Sequence, residues 1–208
     1  AAGRGEAEVA TERDLEAATD AVAGDGGDEQ LGRRGDRVYR RLRLAKELPS
    51  TSQPTPGDFI RVFRDAREEA DEAIAVVVSS GLSGTHQAAQ AALKASGLDG
   101  VHLVDSRTAS FGLGMLALRA AELAESGWKA SDIVRELGRI RARSGMFLTV
   151  DTYENLLRSG RVSRGKAWLA GLLDVKPILT FTPEGRIVPV DRVRGRDMVV
   201  PRMLALIE

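Results

Sequence analysis

Residues 73–78 read Ala-Ile-Ala-Val-Val-Val, a short run with no polar member. Alternating apolar and polar residues would mark a strand with one wet face. A continuous run marks a strand covered on both faces, the usual state inside a parallel sheet flanked by helices. The next residues agree with that reading. Ser79-Ser80-Gly81-Leu82-Ser83-Gly84-Thr85 is a Ser/Gly loop, and residues 86–96 predict an alanine-rich helix stopped by Gly97. Strand, loop and helix make one βα unit of an α/β fold.

The pattern repeats downstream. Residues 101–104 predict a second buried strand. Leu113, Leu116, Ala117, Ala120 and Leu123 recur at helical spacing, with Gly127 closing that helix. Ser131 is expected to cap the next helix, whose apolar stripe is Ile133, Leu137 and Ile140. Residues 146–150 predict a third strand and 151–157 a short helix. Residues 177–181 and 186–190 predict two strands joined by the turn Pro183-Glu184-Gly185, and residues 198–207 predict another helix.

Upstream, residues 38–44 read as a short helix. Thr55-Pro56-Gly57-Asp58 is a helix start, with Thr55 as cap, Pro56 at the first helical position and Asp58 at the positive helix end. Residues 1–36 differ in composition. They are rich in Ala, Gly, Glu and Asp and include the flexible stretch Gly24-Asp25-Gly26-Gly27-Asp28. The expectation is a disordered or atypical N-terminal segment over 1–36, with a helix over 11–23 as its local candidate, and a globular region over 37–208.

Composition removes several classes of function. Lys plus Arg and Asp plus Glu number 30 each, so no net charge draws the chain toward nucleic acid or an anionic membrane. There is no cysteine, and only His86 and His102 could bring imidazole to a metal. No apolar run reaches the roughly 18–20 residues of a membrane span. A soluble cytoplasmic protein without membrane insertion, cofactor or metal is the expectation.

Three polar loops could carry chemistry. The Ser79–Thr85 loop stands between a strand and a helix N-terminus. Free amides, the helix dipole and the serine and threonine hydroxyls there suit a carboxylate or phosphate. Thr51-Ser52-Gln53-Pro54-Thr55-Pro56 offers hydroxyls ahead of a helix start, though plain helix entry would look the same. Arg158-Ser159-Gly160-Arg161-Val162-Ser163 could bring a cation to an anion, or be a solvated turn. No Ser-His-Asp set, Walker loop or G-x-G-x-x-G pattern is present.

Taken together, these stretches resemble the motifs of the DegV family, in the family's order. They are Thr51-Ser52-Gln53-Pro54, then Ser83-Gly84-Thr85 in its loop, then Asp105-Ser106-Arg107 with Ser110, Gly112 and Gly114. Leu157-Arg158-Ser159-Gly160-Arg161 and Asp174-Val175-Lys176-Pro177 follow. The resemblance implies an α/β fold: a parallel-sheet lobe plus part of a second α/β lobe, holding a long-chain fatty acid between them. Its carboxylate would be held by Thr51 and Ser83, with Ser52, Gly84 and Thr85 beside them, and Arg161 with Arg158 would match the basic residues nearby. The partner implied is a separate fatty acid kinase that phosphorylates the carboxylate to an acyl phosphate, so that the chain itself is a binding subunit and not an enzyme. Two parts of the family's pattern are not found. An opening strand ending in Thr-Asp-Ser is not evident before Val38, and members continue past the point where this sequence stops. The alternatives are an enzyme acting on a small carboxylate or phosphate at the same loop, and a non-binding truncated paralogue.

Overall fold

The computed structural model describes residues 7–11, 52–151, 153–162 and 175–207. Its first sheet is parallel, in the order β1 (Ala7–Thr11), β2 (Glu72–Val77), β3 (Val101–Asp105). Val9 pairs with Ile74, and Ile74 with His102. Among the described residues, two helices lie on each face. The period of two along β2 sorts its side chains: Ile74 and Val76 point to one side, Ala75 and Val77 to the other. The first side is covered by α3 (Ser110–Glu125) and α4 (Ala130–Arg143), through Leu113, Leu116, Ile133 and Leu137. The second is covered by α1 (Pro56–Glu69) and α2 (Thr85–Ser96), through Phe59, Phe63, Ala88, Ala89 and Ala92. The valine-rich run is therefore buried on both faces, as its lack of alternation predicts. The helix α2 meets this core through small alanines, and α1 through the Phe59 and Phe63 rings, 5.5 Å apart.

The start of α1 is as read from sequence. Thr55 Oγ1 accepts from the Asp58 amide at 3.3 Å, and the Asp58 carboxylate accepts from the Thr55 amide at 2.9 Å, with Pro56 in the first turn. This reciprocal pair satisfies helix donors that otherwise lack a partner.

A second sheet is antiparallel: β4 (Phe147–Leu148), β5 (Val175–Phe181), β6 (Ile187–Arg194). It is followed by a 3-10 turn, Arg196–Met198, and by α6 (Val199–Ala205). The short α5 (Tyr153–Arg158) precedes a bridge from Val162 to Ile187. Tyr153, Val162, Leu179 and Ile187 form the core of this part.

Four sequence expectations change. Ala7–Thr11 is a strand, inside the segment read as disordered, so an opening strand is present; Thr11 is followed by Glu12 and Arg13, not by Asp-Ser. It is a short strand, at the edge of the sheet among the described residues, whose order comes from pairing with β2 and from α3 lying across it, and local composition carries neither. The rest of 1–36, and the helix expected at 38–44, lie outside the described residues. Ser131 is not a cap. Lys129 takes that place in extended backbone, because Ala130 is drawn into the core and starts the helix two residues early. The strand expected at 146–150 is two residues long and joins the antiparallel sheet, since apolar content marks a strand without naming its partner. The final helix is shortened to seven residues, losing Met198 to the 3-10 turn before it and Leu206 and Ile207 to a turn at its end.

Candidate functional site

The Ser/Gly loop stands at the carboxyl end of β2, where parallel sheets hold ligands. Ser79 is fully buried and shapes it. Its carbonyl accepts from the amides of Leu82 (3.0 Å) and Ser83 (3.1 Å), closing a tight turn. That turn delivers Ser83 to the N-terminus of α2. Ser83 Oγ accepts from the Thr85 amide at 3.2 Å and lies 2.7 Å from Thr85 Oγ1. When the Thr85 hydroxyl donates to Ser83, the Ser83 hydroxyl proton is left to point outward at an anion. No acidic residue occupies the first turn of α2, so the positive helix end is not offset from within the helix.

The second motif comes to the same place. A Cβ built on Gly84 would lie 2.8 Å from Gln53 Nε2, so the Gln53 side chain packs directly on the loop. Ser52, just before it, is exposed. Thr51 lies outside the described residues.

Asp105, at the end of β3, braces the loop from the other side. It accepts from the Ser80 hydroxyl at 2.6 Å, the Ser80 amide at 3.1 Å and the Arg107 amide at 3.0 Å. Burial pushes its carboxyl up, but the bonds from Ser80 and Arg107 and the charge of His86 outweigh that, and the net is a lowering. Arg141 reaches in from α4 and donates to the Asp105 carbonyl at 2.6 Å. The carboxylate thus has its lone pairs engaged by Ser80 and the Arg107 amide, with the charges of His86 and Arg141 close by.

Arg158 and Arg161 are both exposed, and Arg161 Nη1 donates to the Ser159 carbonyl at 2.7 Å within its own turn. The turn lies near the loop by packing: Val162 shares a core with Leu82. A cavity of about 220 Å³ lies elsewhere, lined by Thr149, Asp151, Lys176, Arg196, Val199 and Val200. Among the described residues no cluster of three or more His, Asp or Glu is placed to hold a metal, and no helix is long and apolar enough to cross a membrane.

A family model described as an uncharacterised protein of the DegV family matches residues 27–208. The chain belongs to the DegV family. It is 40% identical over 155 residues to a DegV domain-containing protein of Deinococcus radiodurans, covering 74% of this chain and 54% of that one. A DegV domain-containing protein of Staphylococcus aureus is 34% identical over 167 residues, 79% of this chain and 57% of its own. The chain thus spans a little over half the length of these curated relatives. Among solved structures, it is similar to a DegV family protein of Thermus thermophilus described for its fatty acid binding. The TM-score is 0.75 at 39% identity, over 83% of this chain and 61% of that one. It is also similar to DegV of Bacillus subtilis, a fatty acid binding protein, with a TM-score of 0.68 at 33% identity over 82% and 60%.

Set beside the DegV motifs, the geometry brings Ser83, Gly84, Thr85 and the Gln53 segment together. Sequence reading placed Ser79, Ser80 and Asp105 inside motif stretches but gave them no role of their own, and did not name Arg141; their bracing of the loop shows only in the fold. The one available signal was Asp105-Ser106-Arg107 at the end of a buried strand.

Proposed function

We propose that this chain binds a long-chain fatty acid, with the carboxylate at the N-terminus of α2 and Ser83 as its principal hydroxyl donor. The observation that carries the reading is the Ser83–Thr85 hydroxyl pair, 2.7 Å apart, on a helix end with no acidic residue in its first turn. Thr51 and Ser52 would add donors from the segment that Gln53 seats against Gly84. Arg161 and Arg158 would supply long-range positive charge from the turn beside Leu82. The fatty acid binding described for the Thermus and Bacillus relatives supports the ligand class.

In the second part of the reading, the bound carboxylate is presented to a separate kinase for phosphorylation, and the chain is a binding subunit with no chemistry of its own. The ordered DegV motifs support this part. An enzyme of small carboxylates at the same loop would need an acid or base aimed at the ligand, and the carboxylate that braces the loop, Asp105, is committed to Ser80 and Arg107.

The test is mass spectrometry of an organic extract of the purified protein. Wild type is expected to yield near-stoichiometric fatty acid, and Ser83→Ala to lose roughly tenfold or more in affinity, the scale of one hydrogen bond to a charged acceptor. A Thr51→Ala, Ser83→Ala double variant is expected to be empty. Wild type that takes up no fatty acid, even when it is offered, would sink the reading.

A further inference from the structure

We infer that the hairpin turn Pro183-Glu184-Gly185 of the second sheet is a positioning element for the carboxylate loop of the first, acting through Ser79. This rests on the fatty-acid reading above and adds to it the element that holds the site in shape. The buried Ser79 hydroxyl stands between the two parts. It donates to the Gly185 carbonyl at 2.7 Å and accepts from the Gly81 amide at 3.1 Å. The Ser79 carbonyl in turn closes the turn that sets Ser83. Hairpin, Ser79, turn and Ser83 are thus one chain of hydrogen bonds, although Gly185 is 102 positions beyond Ser83 in sequence.

The approach is close enough to require glycine on both sides. A Cβ on Gly185 would lie 2.0 Å from Ser79 Oγ and 2.9 Å from Arg107 Cα, and its φ of +75° is itself strained for other residues. A Cβ on Gly81 would lie 2.8 Å from the carbonyl oxygens of Glu184 and of Gly185. Arg107 adds a second tether, donating from Nη1 to the Pro183 carbonyl at 3.0 Å. Its own φ of +53° is held by the bond from its amide to Asp105. None of these groups needs to touch the ligand. They decide where the Ser83 hydroxyl and the loop amides point.

A purely structural contact would lower the binding of any lipid. A positioning element acts on the headgroup, so the readout is a ratio. Each protein is loaded from an equimolar mixture of palmitic acid and methyl palmitate, and both ligands are quantified after extraction. Wild type is expected to favour the acid, and Gly185→Ala to cut the acid-to-ester ratio by roughly tenfold, the loss of about one charged hydrogen bond. Ser79→Ala removes only the hydroxyl and is expected to move the ratio the same way with little strain. The double variant is expected to fall no further than Gly185→Ala alone, because both act on one path. Variants that lose acid and ester in equal proportion, or keep the wild-type ratio, would overturn this inference and leave the carrier reading standing. Wild type that loads neither ligand would overturn both.

Discussion

Asp105 accepts three hydrogen bonds at once, and its carboxyl is held below the ordinary aspartate value of 3.8 although burial works against that. A group whose folded value is depressed adds stability above its unfolded value and loses it as pH falls through the folded one. Wild type should therefore be more stable than Asp105→Asn at neutral pH, and the difference should shrink as the pH is taken below about 3.8. Thermal melts of the two proteins across that range would show it, and a gap that stays constant to low pH would refute the assignment. The asparagine amide would also face the Ser80 and Arg107 donors, so the loop should loosen even at neutral pH. The residues of this scale divide by how they act. Ser83 and Thr85 were legible because their chemistry depends on a helix end that adjacent residues announce. Ser79 and Gly185 were not, because neither carries a signal until the fold brings them 2.7 Å apart.

Elements were legible where their causes are local. The reciprocal bonds of Thr55 and Asp58 lie within four consecutive residues, and the sequence names both partners. Thr55→Ala should lower stability by about 1 kcal/mol in denaturant titration, with no change in the slope of the transition. A loss well below that would mean that Pro56 and the buried Phe59 alone fix the start of α1. The valine run of β2 was legible for the same reason, since burial on both faces writes itself into consecutive residues. β1 was not. Five residues with one carboxylate and one hydroxyl become a strand through their register on β2, and Glu8 pairing with Ala73 cannot be read from either segment alone. The orientation of β4 was hidden likewise, because its partners, Leu179 and Thr180, lie about 30 residues downstream.

At the scale of the molecule, Leu82 is where the two sheets meet through apolar contact. It belongs by sequence to the Ser/Gly loop of the first sheet and by packing to the core of the second, beside Tyr153, Val162, Leu179 and Ile187. It also lies between Gly81, which the hairpin crowds, and Ser83, whose Oγ accepts from the first amide of α2. Hydrogen bonds from Ser79 and Arg107 give the junction its geometry, and Leu82 adds burial that has no direction of its own. Leu82→Ala should therefore cost about 1–2 kcal/mol, below the range for a fully buried leucine because Leu82 is only partly covered. The loss should also be uneven. β2 and β3 keep two intact helical layers, whereas β5 and β6 lose a side chain packed against the core cluster they share with Tyr153 and Val162. Hydrogen exchange should accelerate over Val175–Phe181 and Ile187–Arg194 while Glu72–Val77 stays protected. Equal acceleration in both sheets would mean that the molecule opens as a single unit, with the loop inside one cooperative core. The uneven result would mean that the second sheet can release locally, and that the loop holding Ser83 loses its brace when it does.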